Sequence, residues 1–334
     1  MVVLGIETSC DETSAAVYDG ERLLSNVIFS QVDFHRVFGG VVPEIAAREH
    51  LNKLPVVVDE ALSKAGMGFG QLGGIAVTYG PGLAGPLITG LSYAKALAYA
   101  LKIPFAGVNH LEAHLLSPFL EFKEMAFPFI GVVVSGGHTN IYFARGIGEY
   151  ELIAQTRDDA AGEAFDKAAK MMGLPYPGGP SVSAAAKEGD TKKIIFPQAQ
   201  MKAKGFDFSF SGIKTAVLYY LQRNRKKLEA GEVSINDVAA AFQKAVVRAV
   251  VNRLRAILAV REAGIIAVSG GVAANKCLKE ELEKLGVEKK IRVFVPSLLL
   301  CTDNAGMIAY TGYLYLKKGK SSDMGIEAVP ELKI

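Results

Sequence analysis

Two histidines lie one helical turn apart in the segment Asn109-His110-Leu111-Glu112-Ala113-His114. On a helix they share a face, with Cβ atoms about 5–6 Å apart, so two imidazoles can bind one metal ion. The other reading of the pair is polar packing at a helix start. A metalloprotease needs its glutamate beside the first histidine. Glu112 stands two residues on, about 200° around the helix, and cannot reach metal-bound water from there. Its spacing from Asn109 fits a capping box instead. Two histidines leave places for an oxygen donor and a substrate. Asp303, in Cys301-Thr302-Asp303-Asn304, could supply that donor, or Thr302 or Asp303 could simply cap the next helix. Asp11 and Glu12 could bind a cation, act as a base or orient an amine, or merely form a polar turn.

A second kind of chemistry belongs to the backbone. Glycine-rich loops occur at residues 79–85, 135–139 and 269–272, and a polar loop spans residues 7–13. N–H groups in a strand–glycine–helix turn converge on one spot and suit phosphate oxygens. One such loop is an ordinary turn; the set, at the ends of core strands, reads as a ligand site. No Walker-type P-loop is present. Residues 158–167 begin a helix whose early acids suit its dipole, while Asp166 falls on the helical repeat from Gly162 and Glu163, towards the loops. Basic clusters at residues 223–227 and 317–320, with Lys202, Lys204 and Lys214, read as solvated faces or as a track for a nucleic-acid backbone. His35 and His50 have only generic readings.

The elements that must carry these groups come in a repeated order. Strands are expected at residues 2–6, 14–18 and 23–29, then a helix over 43–64, a strand at 74–78, a helix to about 101, and a strand at 105–108. The pattern returns with strands at 129–134, 140–144 and 150–155, a later strand at 265–268, a helix over 273–285 and a strand at 291–295. This predicts a duplicated α/β unit: residues 1–128, completed by a C-terminal helix in 304–334, and residues 129–303 with an insertion at about 173–230. The 334 residues are half hydrophobic and 21% charged, enough to bury a sizeable core. No apolar run reaches the ~18–20 residues of a spanning helix. The first residues lack the basic region of a signal peptide. Three scattered cysteines fit a reducing, cytoplasmic setting, and the net charge of +3 permits an anionic partner without demanding one.

The duplicated unit resembles the actin/Hsp70/sugar-kinase superfamily, two related RNase H-like subdomains around a central cleft. A closer resemblance is to the universal tRNA threonylcarbamoyladenosine synthase family, the bacterial TsaD type formerly called O-sialoglycoprotein endopeptidase. It is carried by residues 5–14 (GIETSCDETS), 39–47 (GGVVPEIAA), 78–83 (TYGPGL), 107–114 (GVNHLEAH), 134–139 (VSGGHT), 161–167 (AGEAFDK), 176–180 (YPGGP), 208–214 (FSFSGIK), 269–275 (SGGVAAN) and 301–304 (CTDN). The resemblance implies a metal, iron or zinc, on His110, His114 and Asp303. It implies an adenylate against Val133, Val134, Ser135, Gly136, Gly137, Asp166, Gly179 and Asn275, and catalytic positions at Asp11 and Glu12. Ser183 stands where many relatives carry an acid that contacts the ligand. The implied reaction moves threonylcarbamoyl from threonylcarbamoyl-AMP to an anticodon-adjacent adenosine of tRNA. The implied partners are a paralogous subunit of TsaB type and a small ATPase of TsaE type.

Overall fold

A computed structural model describes residues 1–197 and 205–334. The basic residues Lys202 and Lys204 lie outside the described residues. The chain forms two compact units, Met1–Glu124 with Pro296–Ile334, and Met125–Val295. We call them unit 1 and unit 2.

Unit 1 opens with strands β1 (Val3–Glu7), β2 (Glu12–Tyr18) and β3 (Leu23–Ser30). Helices α1 (Val32–Arg36) and α2 (Pro43–Ala65) follow, then β4 (Gly74–Gly80), α3 (Ala84–Leu101), β5 (Phe105–Asn109) and α4 (His110–Leu116). The sheet order is β3-β2-β1-β4-β5; the hairpin strands are antiparallel and β1, β4 and β5 run parallel. Unit 2 repeats this with β6 (Phe129–Val134), β7 (Thr139–Gly146), β8 (Glu149–Gln155), β9 (Ile265–Ser269) and β10 (Arg292–Phe294). Their order is β8-β7-β6-β9-β10, with the same pattern of antiparallel and parallel pairs. The expected duplication of the α/β unit is therefore present strand for strand.

Between β8 and β10 come α5 (Ala161–Met171), α6 (Gly178–Lys187), α7 (Ser211–Arg223), α8 (Arg225–Glu229), α9 (Ile235–Leu258) and α10 (Lys276–Lys289). The helix expected over 273–285 divides: Gly271–Ala274 is a 3₁₀ turn, and Asn275 then caps α10 by accepting from the Leu278 N–H. The chain returns to unit 1 as α11 (Leu298–Cys301) and α12 (Ala305–Lys317).

β1 is buried along its whole length because both faces of its sheet are covered. On one face Leu4 and Ile6 join Leu54, Val58, Leu91 and Ala94 from α2 and α3. On the other, α12 lies so close that a Cβ on Gly5 would fall 2.4 Å from the Ala305 carbonyl oxygen. Only glycine allows that approach. Burial of this kind stabilises by roughly 25 cal/mol per Å² of apolar surface. It makes β1 a rigid rail that ends in a carboxylate, Glu7. No helix among the described residues is long and apolar enough to cross a membrane.

Candidate metal centre and glycine loops

The parallel strands of unit 1 deliver three functional segments at their carboxyl ends. β1 ends in Glu7, β4 ends at Gly80, and β5 runs into Asn109, whose side chain caps α4 by accepting from the Leu111 and Glu112 N–H groups. That cap sets the phase of α4, so His110 and His114 share a face, with ring centroids 4.6 Å apart. Asp303 arrives from the turn before α12. Its capping alternative is overturned, because Asn304 caps α12 through the Met307 N–H. The Asp303 carboxylate is left pointing at the histidines. Its Oδ1 lies 3.0 Å from Nε2 of His114 and 3.6 Å from Nε2 of His110.

The metal-ligating atoms of His110, His114 and Asp303 all lie within 4.8 Å of one another. Ligands of a tetrahedral ion with ~2.0–2.1 Å bonds stand about 3.3 Å apart, and the two Nε2–Oδ1 distances bracket that value. Two imidazoles and one carboxylate suit zinc or ferrous iron and leave coordination positions open. The histidine side chains are 6% and 0% exposed and that of Asp303 is 20% exposed. The opening is therefore on the carboxylate side. The protease alternative fails again here, since the Glu112 carboxylate accepts the Tyr315 hydroxyl.

A residue that sequence reasoning missed completes the site. Glu7 is fully buried, and its Oε2 accepts from Nδ1 of His110 at 2.9 Å. Burial pulls the His110 imidazole towards neutrality, but Glu7 and Asp303 more than offset this and push it up to about 9. Burial likewise pushes Glu7 up, and the charge and hydrogen bond of His110 hold it below the usual carboxylate value. The signal was available: a carboxylate ending an otherwise apolar, doubly covered strand must have a partner.

The loop after β1 carries Asp11 and Glu12. Asp11 is buried, and Glu12 accepts from the Ser30 hydroxyl at 3.2 Å. Burial first, and then the charges of Asp11 and Asp303, raise Glu12 well above the ordinary carboxylate value. The loop is pinned by residues that had only generic readings. His50, on α2, donates from Nε2 to the Cys10 carbonyl at 2.9 Å and accepts the Thr13 hydroxyl at Nδ1 at 2.8 Å. The Gln31 N–H donates to the Asp11 carbonyl, and the Gln31 side chain in turn contacts buried His35.

In unit 2 the loop after β6 is Ser135-Gly136-Gly137-His138, closed by the Ser135 N–H to the His138 carbonyl. Gly136 and Gly137 are exposed, and a Cβ on either would meet nothing within 4 Å. Val133 and Val134 are fully buried in β6, so they offer a ligand backbone rather than side chains. Gly270, at φ +90°, brings the loop after β9 against the Val134 carbonyl, where a Cβ would sit 2.4 Å from its oxygen. Asp166 accepts the Gly178 N–H at 2.6 Å, beside Gly179. Asn275 donates to Ser183 and to Gln243, which sequence reasoning did not single out.

Of the acids expected at the start of α5, Glu163 stays in the first turn and accepts the Ala160 N–H, while the two before the helix have other work. The helix begins at Ala161, and Asp158 instead accepts the Phe210 and Ser211 N–H groups at the start of α7. Asp159 pairs with Lys167 and Lys214, so Lys214 does not belong to a free basic track.

Residues 22–310 match the family described as tRNA N6-adenosine threonylcarbamoyltransferase, TsaD. A protein of that name from Clostridioides difficile (strain 630) is 50% identical over 337 residues, covering 100% of this chain and 98% of its own. The fold is also that of more distant proteins. Component A of (R)-2-hydroxyglutaryl-CoA dehydratase from Acidaminococcus fermentans aligns over 96% of this chain and 100% of its own, at TM-score 0.57 and 14% identity. The ROK hexokinase of Thermus thermophilus aligns over 95% and 100%, at TM-score 0.52 and 17% identity. The end-to-end match at half identity, on a chain whose histidine pair and acid converge, places this chain in the tRNA N6-adenosine threonylcarbamoyltransferase family.

Proposed function

We propose that the chain transfers threonylcarbamoyl from threonylcarbamoyl-AMP to the exocyclic amine of the adenosine 3′-adjacent to the anticodon, in tRNAs reading codons that begin with A. The convergence of His110, His114 and Asp303 in a member of this family carries the reading. The amine nitrogen bonds to the carbamoyl carbon, the bond from that carbon to the phosphate oxygen breaks, and the amine loses one proton. AMP leaves with the electron pair. Iron or zinc, held by His110, His114 and Asp303, would supply Lewis-acid polarisation of a carbonyl.

The remaining tasks fall to the chain's own groups. The purine amine is a poor nucleophile because its lone pair conjugates with the ring, so it needs orientation and a proton acceptor. Asp11 and Glu12 supply both in this reading. Glu12, raised by burial and by the charge of Asp11, is suited to hold a proton nearer neutrality than an ordinary carboxylate. In unit 2 the amides of Gly136 and Gly137 would hold the adenylate phosphate, whose charge grows as AMP departs. Ser135, Asp166, Gly179, Asn275 and the Val133–Val134 backbone would shape the rest of that pocket.

In this reading a paralogous partner of TsaB type would cover exposed apolar residues of unit 1, such as Leu51 and Ile88 on α2 and α3, which border a groove of about 330 Å³. The small ATPase partner rests on family membership alone. A tRNA substrate and free cysteines favour a cytoplasmic setting. The test supplies the chain with tRNA, threonine, bicarbonate, ATP and the synthase that makes the adenylate, with and without the partner proteins. Nucleoside mass spectrometry should detect threonylcarbamoyladenosine. Its absence under every combination overturns the reading, and normal single-turnover transfer by Asp11→Asn removes Asp11 from the proton-transfer role.

A further inference from the structure

Glu7 is tied down more completely than a spare surface carboxylate would be. Its Oε1 accepts the Ser9 N–H at 2.5 Å, and its Oε2 accepts the Thr78 hydroxyl at 2.6 Å as well as Nδ1 of His110 at 2.9 Å. Its backbone is fixed in β1, paired opposite Ser14. The carboxylate can therefore neither turn away from His110 nor be replaced by water. We infer that Glu7 is the positioning residue that selects the His110 tautomer and aims its Nε2 lone pair at the metal. The inference rests on the reading that His110, His114 and Asp303 hold a metal ion.

Donors and acceptors decide the tautomer. A neutral imidazole has a single N–H, and an ionised carboxylate can only accept. Glu7 therefore requires the hydrogen on Nδ1, which leaves the lone pair on Nε2, the atom 3.6 Å from Asp303. The Ser9 hydroxyl, 3.2 Å from the same Nδ1, imposes no such choice because a hydroxyl both donates and accepts. The second histidine supplies a contrast within the site. Nδ1 of His114 is buried without a hydrogen-bond partner, so nothing on that side selects its tautomer. Orientation of the pair is asymmetric: His110 is held from behind, whereas His114 is placed by its helix and by Asp303. Carboxylate–histidine–metal relays of this form raise ligand basicity, and loss of the outer carboxylate typically weakens metal binding about 10–100-fold.

The test uses the full chain and measures Zn(II) binding by competition with a chromophoric chelator, independently of transfer activity. Wild type should bind Zn(II), and His110→Ala, His114→Ala and Asp303→Ala should each abolish binding. Failure there overturns the metal reading itself. With that established, Glu7→Gln should bind Zn(II) about 10–100-fold more weakly while its thermal melting without metal stays cooperative. Unchanged affinity in a folded Glu7→Gln overturns the role of Glu7 and leaves the metal reading intact. Should Glu7→Gln fail to fold, two measurements still decide. Thr78→Val keeps the charge but frees one anchor of Oε2, and should weaken Zn(II) by a smaller factor. In Zn(II)-loaded wild type, ¹⁵N-histidine spectra should show a hydrogen-bonded proton on Nδ1 of His110, and metal bound at Nδ1 instead would refute the inference.

Discussion

The central strands of the two units occupy the same place in the same sheet order, yet the groups at their carboxyl ends differ in kind. β1 ends in Glu7, which bonds His110, while His114 bonds Asp303, and Asp11 and Glu12 follow in the next loop; most of these groups are buried. β6 ends at Ser135-Gly136-Gly137, where the exposed residues are glycines with open space at their Cβ positions. One copy of the unit presents side chains that can ligate, donate and accept protons. The other presents backbone that can embrace an anion. The two copies should therefore fail under opposite changes: removing atoms disables unit 1, and adding them disables unit 2.

The largest effect expected from that contrast is at the ligands. Asp303→Ala or His110→Ala should lower single-turnover transfer about 10³-fold, the order that several kcal/mol of lost Lewis-acid stabilisation implies. The metal content should fall with it while adenylate binding by unit 2 stays intact. A variant that lost metal but kept its rate would break the division between the units.

Next come the glycines. Gly136→Ala adds a methyl into open space, so the melting temperature should not move. If these amides hold the adenylate phosphate as proposed, that methyl would obstruct its approach, and the KM for the adenylate should rise about 10–100-fold, equivalent to about 1.4–2.7 kcal/mol. Gly270→Ala is the control of opposite sign. Its positive φ and its contact with Val134 forecast a loss of stability of about 1–3 kcal/mol before any ligand is added. Equal KM and equal melting for both variants would show that the loops are plain turns.

These two regions were unequally legible in the sequence. The histidine spacing, the acid before the last helix and the glycine turns are local patterns, and they could be read as candidates one segment at a time. The repeated succession of strands and helices along the chain was legible too. What could not be read locally was who faces whom. By sequence Glu7 is only the first residue of a polar loop; its partner lies 103 residues away and meets it only in the fold. His50 had no motif at all, because its two hydrogen bonds reach a loop 37 and 40 residues upstream. Asp158 was read as serving the nearest helix, whereas the backbone that needed it lay 52 and 53 residues on. Short-range rules identify groups able to cap or ligate, and tertiary packing decides which partner they receive.

A smaller effect concerns pH, and it distinguishes the two kinds of site again, since backbone amides do not titrate in this range. In metal-free protein the His110 value is raised to about 9 from an ordinary 6.5. The stability this contributes is fully present below about 6.5 and is lost as pH rises through about 9. Glu7, held below its ordinary value, contributes in the opposite sense: its share is present above that value and fades on acidification. Melting followed in a metal chelator should therefore decline at alkaline pH in wild type more steeply than in His110→Gln. Parallel curves for the two proteins would remove the Glu7–His110 pair from the stability of unit 1.

The smallest expected effect tests whether unit 2 has a side-chain contribution hidden at Ser183. The family resemblance implies an acid at this position, and the question is whether the hydroxyl takes its place. Ser183 donates to the Gln243 side-chain oxygen at 2.9 Å and accepts from Asn275 at 3.0 Å, so its hydrogen-bonding is directed within the protein. Asn275 also donates directly to Gln243 at 2.8 Å, and its oxygen caps α10, so both anchors survive loss of the hydroxyl. Ser183→Ala should then cost about 1 kcal/mol of stability or less, and the adenylate KM should change by no more than about threefold, since no direct ligand bond is removed. A tenfold rise in KM with unchanged melting would mean that the hydroxyl leaves Gln243 to meet the ligand. Unit 2 would then combine side-chain and backbone contacts, and the contrast with unit 1 would be one of degree.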